Sequence, residues 1–572
     1  MEKIAETQKL ITPFEKSSES SWETEYPRPQ MKRESFLSLC GTWNLIVKRQ
    51  GKSEKLGEIK VPYPPESRIS GIERALGDDE KYIYEKNFVL DEKMTAGRVI
   101  IHFGAVDQIA RVFINGNFAG ENKGGYIPFC YDITEYIQKG ENTARVEVVD
   151  KTDIRLPYGK QCKKRGGMWY TPISGIWQSV WIEAVPENYI RTLKITPTLK
   201  TVTIETEGGE AEKTILLGEK EYVYTGDRIT IDVENGVWWT PENPHLYDFE
   251  IISGKDRIKS YFALRTIDIE NGYIRLNKEP YFFHGVLDQG YYGDGIYTPA
   301  SPEGYEYDIL TMKRLGFNML RKHIKIEPDV FYYYCDKYGM VVFQDAVNNG
   351  KYSFIRDTAL PTVGLRMHRE PALSMVQKNA FEKTLNDMVK HLYNHPSVCY
   401  WTIFNEGWGQ FDTDGIYDRM KKKDPTRVWD ATSGWFKKKK SDVDSEHVYF
   451  RKIKLRQKGE RPLVLSEFGG FSCAVTNHVF NTGKAYGYSK NKTKEEFLTA
   501  LETVYLDEIV PCIKEGLCAS VMTQLSDVED EINGIVTYDR QIVKVNGEEM
   551  LNIRKMLDKV FEDTIRGNED EG

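Results

Sequence analysis

Two glutamates, Glu406 and Glu467, each follow directly on a short apolar run. Residues 398–404 lead into Asn405 and Glu406, and residues 462–466 lead into Glu467 and a glycine pair. Uninterrupted apolar runs of this length are typical of strands covered on both faces, as in a parallel sheet. Barrel enzymes keep their catalytic groups at the C-terminal ends of such strands. Two carboxylates there are what glycoside hydrolysis requires, one as acid/base and one as nucleophile or water activator.

A single glutamate at a strand end is more often a solvated loop residue. The Asn405–Glu406 pair, the second glutamate and the surrounding alternation of strands and helices favour the catalytic interpretation. Strand candidates after residue 269 lie at 281–287, 317–321, 340–344, 398–404, 427–431, 447–449, 463–466 and 519–524. Helical stretches at 305–315, 328–338, 374–393 and 493–508 separate most of them. Eight strands in about 300 residues predict a (β/α)₈ TIM barrel.

The sequence before the barrel predicts two β-sandwiches. Short alternating strands with turn residues between them, including a hairpin signal at Asn115–Gly116, indicate a jelly-roll-like sandwich over residues 1–186. Residues 187–268 have the length and the short strands of an immunoglobulin-like sandwich. The predicted domains are therefore 1–186, 187–268 and a catalytic barrel over 269–572.

Composition excludes several classes of function. A net charge of -8 with eight scattered cysteines predicts neither a nucleic-acid partner nor a disulfide or zinc framework. No run of about eighteen apolar residues exists, so no membrane partner is predicted. The polar N-terminus does not resemble a signal peptide, and we expect a cytoplasmic protein with reduced thiols.

The barrel prediction implies that functional side chains cluster at the C-terminal strand ends. Polar and aromatic residues do occur at or just after those ends: Asp288, Arg321, His323, Asp345, Asn405, Glu406, Trp435, His447, Tyr449, Glu467 and Gln524. Carboxylates for chemistry, hydrogen-bonding groups for hydroxyls and an indole for a ring face together describe a sugar pocket.

The chain resembles glycoside hydrolase family 2, which contains β-galactosidases, β-glucuronidases and β-mannosidases. The motifs that carry the resemblance are Gly316-Phe317-Asn318-Met319-Leu320-Arg321, Asn394-His395-Pro396-Ser397 leading to Asn405-Glu406, Asp424-Pro425-Thr426-Arg427 and Ser466-Glu467-Phe468-Gly469. Segments at 39–43 and 175–183 resemble the opening and the close of the family's N-terminal sandwich. The resemblance covers nearly the whole chain.

The resemblance implies a retaining mechanism. The magnesium ligands of the family's galactosidases are not evident in this sequence, so no metal or cofactor is predicted. Glu467 would be the nucleophile and Glu406 the acid/base, with Asn405 on the sugar's 2-hydroxyl. Tyr449 would hold the nucleophile's rotamer, and Arg321 would keep it ionised. The remaining expected substrate-binding residues are Asp288, His323, Trp435, His447 and Gln524. Trp435 could stack on the sugar or simply pack in the core, and Arg321 could be purely structural. The expected partner is an oligosaccharide or other glycoside, and a homo-oligomer is possible.

The pocket edge departs from the family in ways that bear on the sugar. His323 falls one position early relative to the family's usual run, and the stretch 530–537 has no lysine that would grip a sugar carboxylate. Glu531 would repel an acidic sugar, whereas Asp288 could accept hydrogen bonds from neutral hydroxyls. We therefore predict an exo-β-glycosidase for a neutral sugar, with a β-galactoside first. The alternatives are a β-mannosidase, β-glucuronidase or arabinosidase-like specificity, or a carbohydrate-binding protein without catalysis.

Overall fold

The computed structural model describes residues 8–16, 21–365, 370–487 and 489–570. Its first sandwich pairs a six-stranded sheet, in the order β3-β2-β4-β10-β7-β8, with a four-stranded sheet, in the order β1-β12-β5-β9. The strands are β1 (Phe36–Ser38), β2 (Gly41–Arg49), β3 (Lys52–Val61), β4 (Glu80–Leu90), β5 (Arg98–Phe103), β6 (Val106–Asp107), β7 (Ile109–Ile114), β8 (Asn117–Lys123), β9 (Phe129–Asp132), β10 (Gly140–Val149), β11 (Gly175–Ile176) and β12 (Val180–Val185).

The core of this sandwich follows from residue alternation along its strands. In β2 the side chains of Trp43, Leu45 and Val47 are buried while their neighbours face outward, which is the period of two expected of a strand with one covered face. These side chains pack against apolar residues of the opposite sheet. The turn between β7 and β8 has positive φ at both Asn115 and Gly116, so the predicted hairpin is present.

The second sandwich is smaller and encloses a separate core. A three-stranded sheet in the order β13-β14-β17 faces a four-stranded sheet in the order β16-β15-β18-β19. The strands are β13 (Ile190–Pro197), β14 (Thr201–Gly208), β15 (Glu212–Leu217), β16 (Lys220–Thr225), β17 (Arg228–Asp232), β18 (Tyr247–Ser253) and β19 (Asp256–Phe262). A small sheet of β20 (Ile267–Glu270), β21 (Tyr273–Leu276) and β22 (Glu279–Pro280) then leads into the barrel.

The barrel is an eight-stranded parallel sheet. Its strands run β27-β26-β25-β24-β23-β32-β29-β28 around the axis, and the two end strands approach each other where Ser445 Oγ donates to the Thr432 carbonyl at 3.2 Å. They are β23 (Phe283–Asp288), β24 (Met319–Lys322), β25 (Val341–Asp345), β26 (Val398–Asn405), β27 (Val428–Ser433), β28 (Asp444–Val448), β29 (Leu463–Gly469) and β32 (Leu517–Thr523). A short pair, β30 (Phe471–Cys473) and β31 (Ser489–Asn491), follows β29.

Helices connect most barrel strands, as a parallel sheet requires. They are α1 (Glu303–Arg314), α2 (Asp329–Tyr338), α3 (Leu360–Thr362), α4 (Met375–Leu392), α5 (Thr413–Lys423), α6 (Lys494–Val504), α7 (Val510–Lys514) and α8 (Gly547–Asp570). The start of α4 is fixed by a capping box between Ser374 and Gln377, and α2 ends at Gly339 in the left-handed conformation.

The predicted fold class is confirmed, and the eight predicted barrel strands correspond to β23–β29 and β32. The boundaries of the three predicted domains stay a prediction. None of the eight cysteines forms a disulfide, and all of them lie in the part of the chain that the structure describes. No helix within the described ranges is long and apolar enough to span a membrane.

Candidate active site

Glu406 and Glu467 face each other across the barrel axis. Glu406 follows β26, and Glu467 lies within β29. One carboxylate oxygen of each, together with an imidazole nitrogen of His447, lie within 4.8 Å of one another. Both side chains are largely buried, with exposed fractions of 12% for Glu406 and 9% for Glu467. The pair therefore encloses a space in which both carboxylates can reach one small ligand.

Arg321, at the end of β24, joins four strand ends beneath Glu467. Its Nη1 donates to Glu467 Oε1 at 2.9 Å, and its Nε donates to Asp345 Oδ1 at 3.0 Å. Its Nη2 donates at 2.9 Å to both Asn405 Oδ1 and Ser433 Oγ. We call these five residues the Arg321 network. The guanidinium is buried, so its planar arrangement of donors fixes the positions of all four partners.

Tyr449 holds the other oxygen of the nucleophile candidate. Its hydroxyl donates to Glu467 Oε2 at 2.8 Å and lies 2.8 Å from Thr523 Oγ1 at the end of β32. With Arg321 on Oε1 and Tyr449 on Oε2, the carboxylate of Glu467 has a single fixed rotamer. Such preorganisation is what a nucleophile in a rigid site needs.

Glu467 is held in its ionised form. Burial alone would raise its pKa, but the facing groups of His447 and Arg321, with smaller contributions from His323 and Lys160, lower the pKa of Glu467 to about 2. A carboxylate with this pKa is ionised throughout the neutral range and is available for attack on carbon.

Glu406 is perturbed in the opposite direction. Burial is the largest cause, and together with the negative charge of Glu467 it raises the pKa of Glu406 in spite of a hydrogen bond from His447. The backbone of Glu406 has φ 58°, a left-handed conformation that is rare for residues other than glycine, and its N–H donates to the Ser433 carbonyl at 3.0 Å. Two carboxylates with pKa values displaced in opposite directions are typical of an acid paired with a nucleophile.

His447, Trp435 and His323 lie around this pair. His447 Nδ1 is 3.1 Å from Glu406 Oε1 and 3.5 Å from Glu467 Oε2. Trp435 is buried, and its Nε1 donates to the His447 carbonyl at 2.8 Å. His323 Nδ1 lies 2.8 Å from Asp345 Oδ2, and burial lowers the pKa of its imidazole to about 4.

Two other predicted binding residues are engaged by protein groups. Asp288 accepts from Lys322 Nζ at 2.5 Å and from the Gly290 N–H at 2.8 Å, so both of its carboxylate oxygens have partners. Gln524 donates to Asn533 Oδ1 at 2.7 Å, while its own Oε1 is buried without a hydrogen-bond partner among the described residues. Gln524 therefore offers an acceptor for a ligand more readily than Asp288 does.

A loop of the first sandwich, residues 151–174, contributes groups that the prediction from the barrel strand ends did not include. We call it the first-domain loop. The backbone N–H groups of Tyr158 and Gly159 bond the Asn348 carbonyl, which anchors the loop to the segment after β25. Trp169 from this loop packs edge-on against Trp408, with ring centroids 5.1 Å apart, and against Tyr352 at 4.9 Å. Trp408 lies two residues after Glu406, so these rings form a wall beside it.

Lys160, in the same loop, lies beside this aromatic wall. Its ammonium is 5.5 Å from the centroid of the Trp169 ring, and its charge contributes to lowering the pKa of Glu467. Among the described residues, no carboxylate lies within ion-pair distance of the half-buried Lys160 side chain. No local sequence motif predicts a role for this lysine, because its loop belongs to the first sandwich and not to the barrel.

Glu531, which follows β32, also belongs to this region. Tyr170 of the first-domain loop donates to its Oε2, and Asn533 Nδ2 donates to its Oε1 at 2.9 Å. Burial raises the pKa of Glu531, and the charge of Lys160 opposes that increase. The carboxylate is thus held by protein donors instead of projecting freely.

By spacing alone, Glu406, His447 and Glu467 could ligate a metal ion. Arg321, however, lies 2.9 Å from Glu467 and 3.4 Å from His447 Nε2, and it already supplies the positive charge that a metal would bring. The arrangement suits an organic ligand between two carboxylates better than a cation.

Comparison with known families identifies both parts of this architecture. Residues 267–544 match the TIM barrel domain of glycosyl hydrolases family 2, and residues 34–186 match the sugar binding domain of the same family. The chain belongs to glycosyl hydrolase family 2. The resemblance inferred from the sequence motifs is therefore confirmed.

Individual members of family 2 are distant from this chain. The beta-galactosidase of Thermoanaerobacter pseudethanolicus is 27% identical over 379 residues, which is 60% of this chain and 47% of that protein. The beta-glucuronidase of Chlorocebus aethiops is 25% identical over 398 residues, which is 60% of this chain and 58% of that protein. The aligned parts thus span about half the length of these curated relatives.

Among solved structures, a beta-glucuronidase from an uncultured Clostridium sp. has a TM-score of 0.73 at 18% identity, covering 94% of this chain and 100% of that chain. At this identity the likeness shows the family 2 fold and nothing finer.

Proposed function

We propose that this chain is a retaining exo-β-glycosidase in which Glu467 is the nucleophile and Glu406 the acid/base. The observation that carries the proposal is the facing pair of carboxylates: one oxygen of each lies within 4.8 Å of one oxygen of the other, and their pKa values are displaced in opposite directions. Retaining enzymes separate their carboxyl groups by about 5–5.5 Å, whereas inverting enzymes need about 6.5–9.5 Å for an intervening water.

The proposed reaction has two displacements. Glu467 bonds to the anomeric carbon while the glycosidic C–O bond breaks and the departing oxygen takes the Glu406 proton. Glu406, now ionised, then removes a proton from water, whose oxygen attacks the same carbon and releases Glu467. Asn405 supports this sequence, because its Oδ1 is held by Arg321 and Ser433 and its Nδ2 is left to donate to the sugar's 2-hydroxyl.

A neutral sugar is our leading substrate, and a β-galactoside comes first. The relatives named beta-galactosidase support this choice. A second candidate is a β-uronide, and one observation favours it: Lys160 supplies a positive charge beside the carboxylates and has no ion-pair partner among the described residues. A sugar carboxylate would pair with that ammonium.

The discriminating experiment is hydrolysis of a panel of 4-nitrophenyl β-glycosides by the full chain. The panel contains galactoside, glucoside, mannoside, arabinoside, glucuronide and galacturonide. We expect at least one to be hydrolysed with retention, seen as the β-anomer in the first proton NMR spectra of the product. Glu467→Ala and Glu406→Ala should each reduce kcat by at least about a thousandfold. Glu460→Gln, which changes an exposed loop carboxylate, is the matched control.

Lys160→Ala separates the two sugar classes. If a uronide is the substrate, this variant should lose about 10- to 100-fold in kcat/KM for uronides, the usual cost of one hydrogen bond to a charged group. Galactoside turnover should change little. A panel with no turnover in the wild type contradicts the hydrolase proposal and favours a carbohydrate-binding protein, which a Kd for the same sugars would measure.

A further inference from the structure

His447 makes contacts that set it apart from the other residues around the carboxylates. Its imidazole is fully buried, and the register between β28 and β29 is irregular between Glu446 and His447, which turns the ring toward the barrel axis. A Cβ at Gly434 would lie 2.8 Å from the ring, so the glycine there leaves the space that the ring occupies. Trp435 bonds the His447 carbonyl and meets the ring edge-on at 5.6 Å.

The neighbours of the two ring nitrogens determine where the proton lies. Nε2 is 3.4 Å from Nη1 of Arg321, a group that donates hydrogen bonds and accepts none. An N–H at Nε2 would therefore oppose another N–H beside a full positive charge. Nε2 therefore accepts from Arg321, which places the ring N–H on Nδ1, the nitrogen that lies between Glu406 and Glu467.

We propose that His447 is a positioning residue whose Nδ1–H ties the acid/base Glu406 to the nucleophile Glu467 and stabilises the ionised form of Glu406. This inference rests on the proposed double displacement. The imidazole takes no proton in either step. In the free enzyme its N–H lies nearer to Glu406 Oε1, at 3.1 Å, than to Glu467 Oε2, at 3.5 Å.

The contact matters differently in the two displacements. Before the first one, burial and the charge of Glu467 raise the pKa of Glu406 and so favour its protonated form, while the His447 N–H limits how far that pKa rises. Once Glu467 is esterified to the sugar it has lost its charge, and the N–H then serves Glu406 alone. Glu406 is then an ionised base at the stage where water must be deprotonated.

Other charged groups lie around Glu406 and Glu467 and also influence the dependence of kcat/KM on pH. Arg321 on β24, Asp430 on β27 and Glu467 on β29 face His447, and Lys160 faces Glu406 from the first-domain loop. Asp345 on β25 is paired with Arg321. A substitution at His447 leaves all of these in place, so a shift of the pH profile reports the imidazole itself.

The test compares His447→Asn with His447→Leu. The two replacements have the same shape, but the asparagine amide can place an N–H where Nδ1–H lies and leucine cannot. The readout is kcat/KM against pH on whichever aryl glycoside the wild type hydrolyses. A hydrogen bond to a carboxylate lowers its pKa, so its loss should move the basic limb, which reports Glu406, upward by about one pH unit in His447→Leu. His447→Asn should keep the wild-type limb within about 0.3 unit.

Two results would overturn the inference: a His447→Leu profile that superimposes on the wild type, or equal shifts in both variants. Trapping with a 2-deoxy-2-fluoro glycoside counts competent sites, so misfolded protein is not mistaken for a slow variant. If His447→Leu does not fold, nitrogen-15 NMR of histidine-labelled wild type decides, since His447 must show a proton on Nδ1 and not on Nε2. A wild type silent on every glycoside instead refutes the proposed function, and the NMR tautomer still tests the geometry.

Discussion

The floor and the rim of the candidate site are built in different ways. The floor is the Arg321 network with Tyr449, in which every partner comes from a barrel strand end and the Glu467 oxygens are both bonded. The rim is the first-domain loop, which brings Lys160 and Trp169 beside Glu406 and leaves the ammonium without a carboxylate partner in the described chain. Because both Glu467 oxygens already accept hydrogen bonds, the floor fixes the positions of the reacting groups. A rim whose ammonium has no carboxylate partner in the described chain can instead donate to a bound sugar. We therefore expect the floor to carry the chemistry and the rim to determine which sugar binds.

Arg321→Lys should have the largest effect, because it removes most hydrogen bonds of the floor. Lysine cannot reproduce the planar fork that serves Glu467, Asp345, Asn405 and Ser433 together, so buried groups lose their partner. We expect kcat/KM to fall by about a thousandfold, because Glu467 and Asn405 each lose a charge-assisted hydrogen bond worth about 1.5–3 kcal/mol. Arg419→Lys, at a half-exposed pair on α5, is the matched control in steady-state kinetics. Near-normal activity in Arg321→Lys would show that the floor does not depend on the fork.

The ionisation of Glu467 should make the free energy of unfolding depend on pH. The pKa of Glu467 is lowered from 4.5 to about 2 in the folded chain, so its stabilising contribution is fully present above about pH 5 and is lost as the pH falls toward 2. The stability advantage of the wild type over Glu467→Gln should therefore shrink by about 3 kcal/mol over that window.

Thermal unfolding of both proteins between pH 7 and pH 3 measures about 2 kcal/mol of this decrease, the part that accumulates above pH 3, with Glu460→Gln as the exposed control. An advantage of the wild type that stays constant with pH would mean that Glu467 is not held ionised by its neighbours.

Tyr449→Phe tests a single contact of the floor. It removes the hydroxyl on Glu467 Oε2 but leaves Arg321 on Oε1, so the nucleophile remains charged and becomes less well oriented. We expect kcat to fall about 10- to 100-fold with KM nearly unchanged, the range for one hydrogen bond to a charged group. Tyr417→Phe, which removes a similar bond from Tyr417 on α5 to Asp442, should have no effect on kcat. A variant that changed only KM would place Tyr449 on the substrate instead.

The floor could be predicted from the sequence because strand ends follow a rule. A parallel barrel brings its C-terminal strand ends together, so the sequence alone predicts that Glu406, Glu467 and Tyr449 lie close together. The same rule could not predict that Asp288 accepts a hydrogen bond from Lys322. That pairing depends on the directions of side chains below the rim. Nor could it find Lys160, since no periodicity relates a loop of the first sandwich to a strand about 240 residues later in the chain.

Trp169→Ala probes the rim and should have the smallest effect. The indole packs on Trp408 and Tyr352 beside Glu406, where the departing half of a glycoside would lie, and it makes no contact with Glu467 in the described structure. Losing a stacking surface weakens ground-state binding, so KM for aryl glycosides should rise about tenfold, or about 1.4 kcal/mol, while kcat stays within about twofold. Trp238→Ala, at a half-exposed tryptophan of the second sandwich, is the matched control. If Trp169→Ala lowered kcat as strongly as Tyr449→Phe does, the loop would take part in the chemistry, and the division between floor and rim would be wrong.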